Sequence, residues 1–167
     1  QGANAANVGR VHIMLGLLAG NRTAVASGFA AFYHNVKVNP YCCPPVNSGE
    51  GIRPDFSFMQ HGPLLYNGVY GVSFAENLLR VAYQTAGTSF AMTDDAYTIM
   101  SSFILDGTQH MIMYPSLNWD ISVIGRDYAY PEGQRSSIAD LAWMIAEVGG
   151  NRSSEWIDFA GRLNHTA

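Results

Sequence analysis

Charge is what this chain has least of. Asp, Glu, Lys and Arg make up 13% of its 167 residues, about half of the ~25% usual in soluble globular chains. Nine cations against thirteen anions leave a net charge of -4, so no diffuse basic field exists to grip a nucleic acid or an anionic membrane. Lysine is nearly missing: Lys37 stands against eight arginines, a bias towards fixed planar contacts with carboxylates. Long hydrophobic runs are missing too. The stretch Val11 to Ala19 is broken by His12 and bounded by Arg10 and Asn21-Arg22, well short of the ~20 residues of a membrane span. Cysteine is limited to the adjacent pair Cys42 and Cys43, which fits no metal spacing and would close a strained ring if bridged to itself. Two free thiols, or bridges to sequence elsewhere, are the readings left. The chain has no initiator Met and no signal-peptide pattern at its front, and reads as a processed product or a piece of a longer one.

The usual catalytic signatures are also lacking. His12, His34, His61 and His110 form no pair at helical spacing and no Cys-x-x-Cys occurs, which argues against a zinc site and makes His12, on an apolar helix, a core histidine. There is no Gly-x-Ser-x-Gly elbow, no glycine-rich phosphate loop and no pair of carboxylates flanking a turn. No cofactor is implied.

What is present is apolar bulk: 48% hydrophobic and 12% aromatic residues, enough for one domain with a core of its own. Three N-glycosylation sequons, at Asn21, Asn151 and Asn164, exceed the roughly one expected by chance and predict a secreted glycoprotein.

Apolar residues surround the helical wheel from Ala5 to Ala19, which predicts a buried helix stopped by Gly20. Thr23 to Tyr33 predicts a second helix, and the short link between them an antiparallel hairpin. From His34 to Pro63 periodicity disappears among prolines and glycines, a loop of a length that usually serves function. Helical spacing returns from Val72 to Ala82, again after Thr93 or Asp94 as N-cap to Asp106-Gly107, after Ser136-Ser137 to Val148, and after Ser153-Ser154 to Leu163. His110 to Gly125 reads as a second functional loop with short extended pieces, and Trp143 and Trp156 as core. The pattern predicts an all-α array of antiparallel helical hairpins.

The densest polar cluster ends the long loop: Asp55-x-Ser57-Phe58-x-Gln60-His61, followed nine residues after the histidine by Tyr70-Gly71. Gly2-Ala3-Asn4 precedes it and Asp120-x-Ser122-x-x-Gly125-Arg126 follows. In this combination and order the sequence resembles polysaccharide lyase family 8, whose members cleave hyaluronan, chondroitin and xanthan by β-elimination. The resemblance implies an incomplete α/α toroid of which residues 1–167 would form one segment, completed by further chain or subunits and lacking the β-sandwich region. It implies an acidic, uronate-containing polysaccharide as substrate. It gives Tyr70 the role of catalytic base and acid, His61 that of its partner, Asn4 the uronate carboxylate, and Arg126 a place beside the tyrosine. Gln60, Asn118, Trp119 and Tyr130 are the expected substrate contacts, with Trp119 able to stack on a sugar ring. Tyr130 stands where many members carry a second arginine.

Chemistry supports these roles. Removing the C5 proton of a uronate requires the carboxylate to be neutralised, which hydrogen-bond donors such as Asn4 and His61 can do. A phenol titrates near ~10, so a base at Tyr70 needs a cation such as Arg126 beside it. The bland readings are that Asn4 is a helix cap with Asn7 as rival, that Arg126 pairs on the surface, and that Asp55-x-Ser57 is a turn. The competing class is a non-catalytic, glycan-binding or structural segment of a secreted glycoprotein; a generic helical interaction domain would require the motif match to be chance.

Overall fold

The computed structural model describes residues 2–40, 49–114, 116–126, 135–148, 150 and 152–164, the side chains of 135–137 excepted. Cys42, Cys43, Tyr130 and Asn151 lie outside the described residues. Six α-helices dominate these residues: α1 (Gly2–Leu18), α2 (Arg22–Tyr33), α3 (Val72–Thr85), α4 (Asp94–Ser102), α5 (Arg135–Val148) and α6 (Ser153–Asn164). α1 packs against α2 and α3; α3 in turn packs on α5, and α5 on α6. The fold is all-α and built from helical hairpins, as the sequence predicts. α5 starts at Arg135, one residue before the expected serine cap. The Thr93 hydroxyl does cap α4, accepting from the Ala96 N–H at 3.3 Å.

The reading of α1 as a buried helix is corrected. Its buried residues are Gly2, Ala3, Ala6, Gly9, Ile13 and Gly16, while Val8, Val11, Met14 and Leu15 are exposed and Leu18 is 84% exposed. The reason lies in the glycines spaced seven apart. A Cβ on Gly9 would sit 3.1 Å from the Phe32 backbone, and one on Gly16 would sit 2.9 Å from the Val25 nitrogen. The α1–α2 seam is therefore made by small residues in close backbone approach, and the bulky residues face the other way. His12 shares this exposed side, so it is not a core histidine. Trp156 is buried as predicted, but Trp143 is 43% exposed, because α5 turns Ile138, Leu141, Ala142 and Ile145 inward instead.

The loop from His34 to Pro63 carries more order than its composition predicts. β1 (Gly51–Ile52), β2 (Phe58–Gln60) and β3 (Leu64–Leu65) form a small antiparallel sheet, and Val38 bridges to Ile52. β4 (Ile112–Met113) and β5 (Asn118–Trp119) pair similarly within the second loop. The first long loop is pinned by Asn67. Fully buried Asn67 accepts from the Phe58 N–H at 2.7 Å and donates to the Phe56 carbonyl and the Thr108 hydroxyl at 3.3 and 3.2 Å.

At the other end of the array, Arg152 before α6 grips Asp106 with two bonds of 2.7 and 2.8 Å and Glu155 with two of 2.6 and 2.8 Å. The Arg152 hydrogen bonds hold the Asp106 carboxyl below its ordinary range. A depressed folded-state value contributes stability above the unfolded value near ~3.9 that is lost as pH falls through the folded one. Because Asp106 is well exposed, Asp106→Asn is expected to cost only about 0.5 kcal/mol at neutral pH. In urea titrations that difference should close below about pH 4; a constant difference down to pH 3 would contradict this origin.

Candidate active site

Tyr70 sits on a π-helical turn, Asn67–Gly71, that leads into α3. The Gly71 N–H bonds back to the Tyr66 carbonyl at 2.9 Å, and that of Val72 to Asn67, the five-residue spacing that defines the turn and that recurs at functional sites. The consequence is local. Tyr66 and Tyr70 meet edge to face, centroids 5.0 Å apart at 90°, on a turn wider than an α-helix.

His61 occupies the tip of the β2–β3 hairpin with φ +56°, followed by Gly62 at φ +87°. A left-handed histidine is uncommon and costs energy that its surroundings must offset. Here the Glu50 carboxylate accepts the His61 N–H at 3.1 Å. So placed, the imidazole Nε2 lies 3.1 Å from the Tyr70 hydroxyl, and its ring meets that of Tyr70 edge-on at 5.0 Å. His61 is exposed and Tyr70 half-buried, so the pair is open to solution.

Arg126 reaches the same point from the second loop. Asp120 and Ser122 form a turn in which Asp120 Oδ1 accepts from the Ser122 N–H at 2.8 Å and its hydroxyl at 2.7 Å. Asp55 and Ser57 do the same at 3.1 and 2.7 Å. In both, the hydroxyl donor is the main reason the carboxyl lies below its ordinary range. The Asp-x-Ser motifs thus shape the two loops. Glycines then let the loops touch. A Cβ on Gly68 would lie 2.7 Å from Ile124 and 3.0 Å from Trp119, and one on Gly125 would lie 1.9 Å from the Tyr66 ring. The next residue, Arg126, donates its N–H and its Nε to the Tyr66 hydroxyl at 3.1 and 3.2 Å. Its pKa is raised, first by that bond and more weakly by Tyr70.

The remaining expected residues are placed differently. Gln60 is fully buried beneath the hairpin, its Oε1 accepting from the Ala3 N–H at 3.4 Å, where it ties α1 to β2. Trp119 is 1% exposed, wedged under Gly68; it has no free face for a sugar ring, which corrects that expectation. Asn118 is half-buried on β5. Asn4 is exposed in the first turn of α1, one residue after the Ala3 contact to Gln60. Its rival Asn7 is engaged elsewhere, accepting from Asn77 at 2.8 Å. Asn21 is exposed and caps α2 through its Oδ1, and Asn164 is exposed at the end of α6. Among the described residues, no three His, Cys, Asp or Glu side chains are grouped to hold a metal, and no helix is long and apolar enough to cross a membrane.

Sequence reading missed Tyr66 and Glu50. The four-residue spacing of Tyr66 and Tyr70 was an available signal for the first. Glu50, eleven positions before His61, offered none.

An all-α array of helical hairpins is the fold of a recognisable class, the α/α-toroid lyases. The family model for the N-terminal alpha-helical domain of polysaccharide lyase family 8 matches residues 1–140, and the chain belongs to that family. Chondroitinase-AC of Pedobacter heparinus is 26% identical over 146 residues, 87% of this chain and 21% of the relative. A solved chondroitinase AC lyase matches the fold at TM-score 0.85 with 22% identity, over 100% of this chain and 24% of that one. Xanthan lyase from Paenibacillus matches at 0.73 with 20% identity, over 99% and 18%. The chain therefore spans between 18% and 24% of the length of these relatives.

Proposed function

We propose that the complete protein is a polysaccharide lyase that cleaves an acidic, uronate-containing glycan by β-elimination, with Tyr70 as base and then acid. The observation that carries this reading is the 3.1 Å contact between His61 Nε2 and the Tyr70 hydroxyl on an accessible surface, with Arg126 beside it.

In the proposed step the deprotonated Tyr70 oxygen takes the C5 proton. The C5–H electrons become the C4=C5 double bond, and the C4–O bond breaks. The departing glycosidic oxygen then receives the proton from the Tyr70 hydroxyl, so base and acid are the same atom in succession. Before reaction, His61 Nε2 is within hydrogen-bond distance of the Tyr70 oxygen and the Arg126 guanidinium lies to its side. As C5 loses its proton, negative charge moves onto the uronate carboxylate, where Asn4 and His61 are the proposed donors. Asn118 and Tyr130 remain candidate substrate contacts. Every proton and electron pair in this sequence is accommodated by protein groups and substrate.

Residues 1–167 are, on this reading, one segment of an incomplete toroid. Support comes from the exposed apolar stripe of α1 and from the share of the relatives that the chain covers. Secretion and glycosylation at Asn21, Asn151 and Asn164 complete the proposal, supported by the sequons and the scarcity of lysine.

The test is direct. Full-length protein incubated with hyaluronan, chondroitin sulfates, xanthan and alginate should release unsaturated uronate ends, read by their ultraviolet absorbance. Glycan binding with no such product from any of them would favour a non-catalytic binding segment and reject the lyase reading.

A further inference from the structure

We propose that Tyr66 is a positioning residue of this site: its buried hydroxyl holds Arg126 by main chain and side chain at once, and so fixes the guanidinium beside Tyr70. The inference rests on the lyase reading above but assigns a role to a residue that the sequence reading did not single out.

Tyr66 is 1% exposed, yet its hydroxyl reaches the edge of the site. Few positions could let one atom control both halves of an arginine. The hydroxyl accepts the Arg126 N–H at 3.1 Å, fixing where the chain passes, and its Nε at 3.2 Å, fixing the direction in which the guanidinium leaves the backbone. An exposed arginine without such an anchor samples many rotamers, and a charge averaged over them in water acts weakly on a neighbour. The anchor is itself closely packed. The Tyr66 ring is trapped between Gly125, which leaves no room for a Cβ, and the edges of Tyr70 and His61 at 5.0 and 6.1 Å. Movement of the ring would have to displace both members of the reacting pair. Among the described residues, the groups bearing on Tyr70 are then His61 from the β2–β3 hairpin, with Glu50 behind it, Tyr66 from its own turn, and Arg126 from the second loop. Tyr66 is the group through which the last of these is delivered.

The experiment compares Tyr66→Phe, Arg126→Gln and the double variant in the full-length protein, with melting curves to establish folding. Tyr66→Phe keeps the ring and removes one oxygen. Expected are a fall in kcat of about 10- to 100-fold, within the range general acid–base groups contribute, and KM within about threefold of the parent. The limb of the kcat profile that reports the base should move to higher pH. The Tyr70 ring signal, in NMR of protein carrying 13C-labelled tyrosine and assigned by its loss in Tyr70→Phe, should also titrate at higher pH. The double variant should be no worse than Arg126→Gln by more than about threefold, since two residues acting through one contact are not additive. Effects that multiply overturn the proposal. So does a Tyr66→Phe protein that only melts earlier, with its pH profile and Tyr70 titration unmoved. The NMR titration separates this inference from the activity: a shifted Tyr70 signal in a protein that cleaves no glycan rejects the lyase reading and keeps the positioning role.

Discussion

Tyr70→Phe in the full-length protein is expected to abolish turnover of the cleaved glycan, with kcat falling by about 10³ or more, while binding changes by less than about threefold. The size follows from the dual role. A single acid or base contributes roughly 10² to 10⁴, and one oxygen here is proposed to serve as both, so its removal takes both away. A loss of 10³ corresponds to about 4 kcal/mol of barrier. The structural cost is small by comparison. The phenylalanine ring retains the edge-on contacts with Tyr66 and His61, and what disappears is one hydrogen bond on an accessible surface, worth about 1 kcal/mol. Calorimetric titration with intact glycan separates the two effects. Turnover within tenfold of the parent would remove Tyr70 from the mechanism.

The second large effect is one of stability. Gly125→Ala places a Cβ 1.9 Å from the Tyr66 ring and 2.5 Å from its hydroxyl. The ring is hemmed in on its other side by Tyr70 and His61, so the loop carrying residue 125 must move. Overpacking of this kind costs about 1–3 kcal/mol, and an L-residue at φ +56° adds about 1 kcal/mol, about 2–4 kcal/mol together. Gly87 supplies the control. Its φ is +73° and no atom lies within 4 Å of its would-be Cβ, so Gly87→Ala should show the conformational cost alone, about 1 kcal/mol. Equal losses for the two variants in urea denaturation would mean that the loop yields and the contact is not tight. Because moving that loop also moves Arg126, Gly125→Ala should lower kcat as well, whereas Gly87→Ala should not.

The helices were legible because their signals are local. The Thr93 cap and the periodic apolar residues of α3 and α6 depend on neighbours within one or two turns, and the structure places α3 and α6 within a few residues of the expected limits, whereas α4 gives way at Ser102 to a π-helical turn, Phe103–Gly107. Orientation was less legible. The large apolar side chains of α1 read as core, yet the core face belongs to glycine and alanine, because close approach of two backbones is a property of the pair and not of either helix. The same limit misled the reading of Trp119 and Trp143. Hydrophobic composition says that a ring prefers burial or a stacking partner, while its neighbours in space decide which it receives. The small β-sheet within the first long loop was invisible for a similar reason: its strands are two or three residues long, too short for alternation to register.

For the site, residue identity and order were enough to bring Tyr70, His61 and Arg126 under suspicion and to suggest that Asp55-x-Ser57 is a turn; that Asp120-x-Ser122 forms a second one emerged from the structure. Sequence by itself determined the all-α hairpin class and the family, since each is carried by local pattern or by residue type, and it named Tyr70, His61 and Arg126 as candidates for the site. Tertiary structure alone decided how those groups meet: the π-turn that sets Tyr66 against Tyr70, the Glu50 contact that holds His61 in a left-handed conformation, and the Tyr66 hydroxyl that anchors Arg126 from 60 residues away. Distances between hydrogen-bonding atoms are fixed by packing across loops, and a linear pattern contains no term for them.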